Sequence, residues 1–404
     1  ATNNYVGNIL VSAGVLAVAN DGALGDVNND ITLNGTTATL RATGNVNLSA
    51  TRVITLGHAT AANNVFEVVQ GSALTLNSAF AGTANGFVKN DNGLMDIAVT
   101  NPGYVGPVTV NAGTLQLSNA TALGSTAAIT VPGVVGAAVN LNGVSVGNAV
   151  NLNSSTTVNV AFGGVNFGGQ LRGASGSSTM TGVLSLSADA SIGVANGATL
   201  DINGTINNPT ATGRALMFNA EGTGIINLNS NMTAATGTVN QYFGISKYGT
   251  GTLNVTTANT LVPTNNITVQ QGTLSVNGAA GTLAAGNTIG ITVNPGATLT
   301  IDNTAGAVLN RLGSRPITLA GGNINLIGNA AATNETLGAW SLARGHSNIN
   351  VTAGAGGANL TFGSFATNFP QNGATVRFSG TNLGLAAGAN NATIKGNITF
   401  AGQT

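Results

Sequence analysis

Short apolar–polar alternations, each opened by a glycine, recur along this chain. Gly14-Val15-Leu16-Ala17-Val18, Gly113-Thr114-Leu115-Gln116-Leu117, Gly251-Thr252-Leu253-Asn254-Val255 and Gly272-Thr273-Leu274-Ser275-Val276 share one form. A variant one residue longer occurs at Gly71 with Leu74 and Leu76, at Gly197 with Leu200 and Ile202, and at Gly296 with Leu299 and Ile301. Alternation with period two predicts strands that turn one face inward. Glycine and asparagine between them supply the positive φ that tight corners need.

Two copies extend further. Ile9 to Gly14 continues to Ala23-Leu24-Gly25, and Val108 to Gly113 continues to Ala122-Leu123-Gly124, at a constant offset of 99. A second unit follows each: Ile31-Thr32-Leu33-Asn34-Gly35 and Ile129-Thr130-Val131-Pro132-Gly133. It returns at Ile54, Ile317 and Ile398-Thr399-Phe400-Ala401-Gly402. The short glycine spacings, such as 21 residues from Gly251 to Gly272, fit a period near 21. That period is the mark of a β-solenoid, in which each coil buries its apolar face only by stacking on its neighbours. At about 20 residues and about 4.8 Å per coil, the chain makes roughly twenty coils over about 95 Å. Asparagines at equivalent positions can then form hydrogen-bonded ladders. An array of small β-sandwiches is the competing reading, but no Pro- or charge-rich linker divides the chain. The expected organisation is one continuous solenoid over 1–404, with an aromatic-richer section at 340–404.

Composition narrows the class. The 404 residues are 43% hydrophobic with mean hydropathy +0.27, unlike a disordered chain. Only 5% are charged, against about 25% in ordinary domains, and Gly (59) and Asn (56) exceed a quarter of the chain. Eleven cations balance eleven anions, so no basic stripe exists for nucleic acid. Glu and Lys are too scarce for helical heptads. With no Cys there is neither disulfide nor thiolate metal site. No apolar run reaches about 18 residues, so no transmembrane helix is expected. Four Tyr, one Trp and twelve Phe are few for the girdles of an outer-membrane barrel. The opening Ala1-Thr2-Asn3-Asn4 has no leader features, and a start at Ala fits a leader already removed from a secreted protein.

At Val108 to Gly124, V-T-V-N-A-G-T-L-Q-L-S-N-A-T-A-L-G resembles the passenger-associated strand repeat of bacterial autotransporters; Ile9 to Gly25 and Ile267 to Val276 resemble it less completely. The resemblance covers about a quarter of the chain. It implies a right-handed parallel β-helix secreted across the outer membrane of a diderm bacterium, and leaves activity open, since family members serve as adhesins, proteases, esterases and matrix components. The chain departs from the family in lacking a C-terminal translocator barrel.

Catalytic patterns are sparse. Gly143-Val144-Ser145-Val146-Gly147 matches G-x-S-x-G, but Asn148 to Leu152 continues as strand where a nucleophile elbow needs a helix. The two histidines, His58 and His346, lie many coils away. Asp26-Val27-Asn28-Asn29-Asp30 begins like a calcium loop but has Thr37 where the bidentate acid belongs, and reads as a solvated turn or a weak cation site. Asp201 and Glu221, 20 residues apart, could stack as a carboxylate pair, with Arg214 the one base nearby. No phosphate loop, zinc signature or dinucleotide fingerprint occurs. The expectation is a protein that is not an enzyme and needs no cofactor.

Residues 1–202 carry eight acids and four bases, and residues 203–404 three acids and seven bases, a split of −4 and +4. In a solenoid, sequence order is axial position, so opposite ends would attract head to tail. Neither end reads as a polar cap. Tyr5, Val6, Ile9 and Val11 at the start, and Ile394, Lys395, Ile398 and Phe400 at the finish, are the candidate self-association residues. Phe362, Phe365, Phe369, Phe378 and Phe400 crowd the last 43 residues, with Trp340 just before them, as core filling or as a subunit contact. The leading function is a structural extracellular subunit, partnered by itself in a head-to-tail filament or sheath on a bacterial surface. The alternative is a monomeric adhesin passenger binding host cells or glycans; a polysaccharide-degrading β-helix is a minor one.

Overall fold

The computed structural model describes residues 2–132, 136–153, 168–210, 213–234, 243–258, 267–283, 289–365, 373–385 and 390–396. They form two compact units, Ala1–Gly204 and Thr205–Thr404. In both, each coil lays a short strand beside that of the coil before it, and the pairings are parallel. Sandwiches and transmembrane barrels are built from antiparallel neighbours, so this pairing separates the fold from both. The architecture is a β-solenoid of about thirteen stacked coils. Among the described residues the only helical elements are single 3-10 turns at Asp21–Leu24 and Ala61–Asn63, and no helix is long and apolar enough to cross a membrane.

The repeated sequence units become rungs of three long parallel sheets. In the first unit, Phe87, Val108, Ile129, Val150 and Leu184 stack in register, all essentially buried, while Thr109, Thr130, Asn151 and Ser185 face outward beside them. In the second, Ile245, Ile267, Ile291, Ile317 and Trp340 form the same kind of inward column. Each such aliphatic side chain contributes about 1.5–3 kcal/mol of burial. The Gly-Thr-Leu units at Gly251 and Gly272 build a further sheet, where Leu253, Leu274, Leu299, Ile324 and Ile349 align, whereas the unit at Gly113 stacks Leu115 between Met95 and Val139 in the sheet of the Ile267 column. Six of the seven repeat glycines have φ between 65° and 81°. The exception is Gly251, where Gly249 takes the left-handed turn instead.

The expected period is too short. Leu94 stacks on Thr114 after 20 residues and Val108 on Ile129 after 21, but Ile267 to Ile291 takes 24, Ile291 to Ile317 takes 26 and Val150 to Leu184 takes 34. Successive coils lie about 25 residues apart, and about thirteen stack rather than twenty. The physical reason is that strands fix the register while corners carry insertions at little cost. The asparagine ladders are present: Asn277 donates to Asn254 (2.8 Å) and Asn254 to Asn227 (2.8 Å), and Asn348 donates to Asn323 (3.0 Å).

The first coil is built on β1 (Ile9–Val18), which pairs with β2 (Ile31–Ala42) through two register shifts around Ala13. Gly35 sits there against Ser12, where an added Cβ would meet the Ser12 carbonyl oxygen at 1.5 Å. Gly35→Ala should therefore push β1 off β2 at a cost of about 1–3 kcal/mol. Hydrogen exchange of Ile9–Val18 should quicken while that of Ile291–Val293 stays unchanged.

Candidate functional site

The candidate association surfaces are the outermost strands of each unit. Among the described residues, β1 pairs only with β2, so its other edge is unpaired. Residues 3–8 are laced to the turn at 20–30: the Asn29 side chain donates to the carbonyls of Tyr5 (2.9 Å) and Leu24 (3.0 Å) and accepts from Gly7 N–H (2.8 Å). This lacing leaves Tyr5 49% and Val6 77% exposed, next to Leu10 and Val15, which are also exposed. Ile9 is half-buried, and Val11 points inward and is buried. In the second unit one sheet finishes in Met232–Ala234 and the others in Thr375–Gly380, in Ala392–Gly396 and in Trp340–Leu342, the last with one further bridge from Trp340 to Phe365. Ile394 is half-buried and Lys395 exposed; Ile398 and Phe400 lie outside the described residues. Trp340 packs against Phe362 (4.9 Å), Phe365 (4.7 Å) and Phe378 (6.4 Å), so the described C-terminal aromatics fill core; Phe369 lies outside the described residues.

The sequence-predicted residues fall on separate elements. Ser145 is an exposed strand residue opposite Thr179. His58 Nδ1 accepts from Thr60 N–H (3.0 Å), and His346 Nδ1 lies 2.9 Å from Thr375 Oγ1. Asp26 Oδ1 is taken by Asn28, through both backbone and side-chain nitrogens (2.9 Å each), and Asp30 Oδ1 accepts from Val53 N–H (2.9 Å). Asp201 lies in the strand Thr199–Ile202 of the first unit, and Glu221 follows the strand Arg214–Ala220 of the second. Among the described residues no three His, Asp or Glu side chains converge as metal ligands.

Sequence reasoning missed a set of cations inside the coils. Lys89 occupies an inward column between Phe66 and Val110, and Lys247 one beside Val269. Both are fully buried. Each ammonium sits in a cage of three carbonyls built to one plan: the next two residues, and the residue before a repeat glycine one coil on. For Lys89 these are Asn90 (3.1 Å), Asp91 (2.6 Å) and Ala112 (3.1 Å); for Lys247, Tyr248 (2.6 Å), Gly249 (2.8 Å) and Gln271 (3.2 Å). The glycine is required because Gly113 has φ 65° and a Cβ there would lie 2.5 Å from the carbonyl oxygens of both Asp91 and Gly93. Burial lowers the Lys89 ammonium to about 8, with Asp91 pulling it back up, and burial lowers Lys247 to about 7.

Arginines serve other corners in the same way. Arg311 donates to the carbonyls of Gly281 (2.6 Å), Gly278 (2.8 Å), Gly306 (2.8 Å) and Asn277 (3.3 Å), and through Nε to Asn303 Oδ1 (2.9 Å). Glu335 holds the same turn by accepting from the backbone N–H of Arg311 (2.8 Å) and Leu312 (3.0 Å). Burial pushes its carboxyl up to about 7 against the pull of those two N–H groups and of Arg311. Arg315 donates to Leu283 (2.8 Å) and Ile289 (3.1 Å), and Arg52 to Asp21 (3.1 Å) and the Asn29 carbonyl. Carbonyls dominate these partners because corner residues leave the strand ladder, and their oxygens turn inward without one. The arrangement is architectural: none of these side chains reaches solvent.

Comparisons with protein-family models, with curated proteins and with solved structures return no match to this chain.

Lys247→Met keeps most of the volume but strands three carbonyls, so the second unit should lose about 1–3 kcal/mol, read as a lowered melting transition by circular dichroism. The titrations have opposite signs. Glu335 binds its proton more tightly folded than unfolded, so its contribution is complete below about 4.5 and is lost as pH rises through about 7. Lys247 binds its proton less tightly when folded, so its cost is absent above about 10.5 and grows as pH falls to about 7. The melting temperature of the second unit should pass through a minimum near neutral pH. Glu335→Gln should flatten the acid limb and Lys247→Met the alkaline one.

Proposed function

We propose that this chain is a structural β-solenoid subunit, secreted to a bacterial surface, that assembles end to end into a filament or sheath. The observation that carries the reading is β1. It is a ten-residue edge strand with no charge and no proline, unpaired on one side among the described residues, and flanked by exposed Tyr5, Val6, Leu10 and Val15. Natural sheets blunt such edges with lysine, proline or short strands, because a free ladder of N–H and C=O groups recruits another chain. β1 uses none of these; its one irregularity lies mid-strand around Ala13. Thr375–Gly380 and Ala392–Gly396, which finish two sheets of the second unit, are likewise paired on one side among the described residues. Buried carbonyl cages and polar outer ladders suit a role in which persistence of shape is the activity. The autotransporter resemblance at Val108 to Gly124 supports the surface location.

Electron microscopy of the purified chain tests this. Filaments should form as concentration rises, and Leu10→Lys with Val15→Lys should suppress them. Because both side chains are exposed, the melting temperature should hold within the effect of about 0.5 kcal/mol usual for surface changes. A monodisperse monomer at every concentration and salt overturns the proposal.

A further inference from the structure

We infer that the contact between successive copies is ionic and directional: the acidic first coil of one copy receives the cation-bearing last strands of the next. This rests on the end-to-end reading above and adds what fixes its polarity. The first thirty residues contain Asp21, Asp26 and Asp30 and no Lys or Arg. Asp21 is neutralised by Arg52 at 3.1 Å. Among the described residues Asp26 and Asp30 have only neutral hydrogen-bond donors as partners, namely Asn28 and the Val53 N–H, and neither forms an ion pair at the margin of the first coil. Both are partly open to solvent.

The closing strands of the second unit are the complement in charge. From Arg344 to Thr404 there are three bases, Arg344, Arg377 and Lys395, and no acid. The fold places two of them in closing strands of the second unit and the third just after another. Arg377 lies in Thr375–Gly380, Lys395 in Ala392–Gly396, and Arg344 two residues beyond Trp340–Leu342. All three side chains are exposed, and no ion pair joins any of them to an acid among the described residues. These three are among the eleven Lys and Arg side chains of the whole chain. The occupant that fits is a second copy, because its first coil offers the opposite sign next to an unpaired edge strand. A copy approaching the wrong way round brings like charges together, which disfavours the reversed contact.

Charge reversal separates this inference from the reading it rests on. Variant one carries Asp26→Lys and Asp30→Lys; variant two carries Arg377→Glu and Lys395→Glu. Each alone now has like-signed ends and should show a critical concentration raised about tenfold or more at low salt. Mixed in equal amounts they present opposite signs at every contact, and filaments should return, which also shows that both variants fold. Wild-type assembly should weaken as salt rises from about 0.01 to about 1 M, over which the screening length falls from about 30 to about 3 Å. Filaments that form from either variant alone as from wild type, or a mixture that stays monomeric while wild type assembles, overturn the ionic contact and leave end-to-end assembly standing. Wild type that never assembles overturns the end-to-end reading itself, and this inference with it.

Discussion

A coil of parallel strands satisfies its main chain only through the coils beside it. Within a strand this is automatic, because N–H and C=O groups pair with the neighbouring strand and the side chains alternate inward and outward. At the corners the ladder lapses, and carbonyls turn into an interior that offers no water. Much else in this molecule answers that constraint. Lys89, Lys247, Arg311 and Arg315 bring donors to the orphaned oxygens, and the glycines and asparagines at the corners let the chain turn tightly enough to keep the strands in register. Around Lys89, Lys247 and Arg315 main-chain dipoles do most of what counter-ions would do, whereas Arg311 also faces Glu335.

The strand chemistry was legible in the sequence because alternation is local. Ile291-Thr292-Val293 and Ile317-Thr318-Leu319 stack as their patterns imply, and the Gly-Thr-Leu units at Gly251 and Gly272 are adjacent rungs of one sheet. The coil length was not legible, because glycine spacing samples only the tightest corners, and an insertion between strands leaves the alternation on either side intact. The lysine cages were hidden for a different reason. Lys247 stands where the period-two pattern Ile245-x-Lys247 calls for an apolar side chain, and its partners are backbone atoms that no residue pattern records. The visible signal was the violation itself, a lysine in an inward column two residues after an aliphatic. Of the association residues, Tyr5 and Val6 are exposed whereas Val11 points inward, a distinction set by how the bulged β1 lies on β2.

The interior and the margins of the solenoid obey opposite economies of charge. Inside, each cation is held by carbonyls one coil apart and contributes to shape. Outside, Asp26, Asp30, Arg344, Arg377 and Lys395 keep their charges toward solvent at the first coil and the closing strands. A fold that spends so few ionisable groups on its broad faces presents those faces as amide and hydroxyl, through columns such as Thr109, Thr130, Asn151 and Ser185.

The lysine cages carry an implication for threading. Stacked Ile-Thr-Val strands are nearly interchangeable, and a slipped alignment would bury almost the same aliphatic surface. An ammonium that finds its three oxygens only when Gln271 arrives from the correct rung makes the slipped alignment unequal to the native one. Lys89 and Lys247 thus act as index pins in an otherwise repetitive ladder, marking which turn of the chain belongs against which.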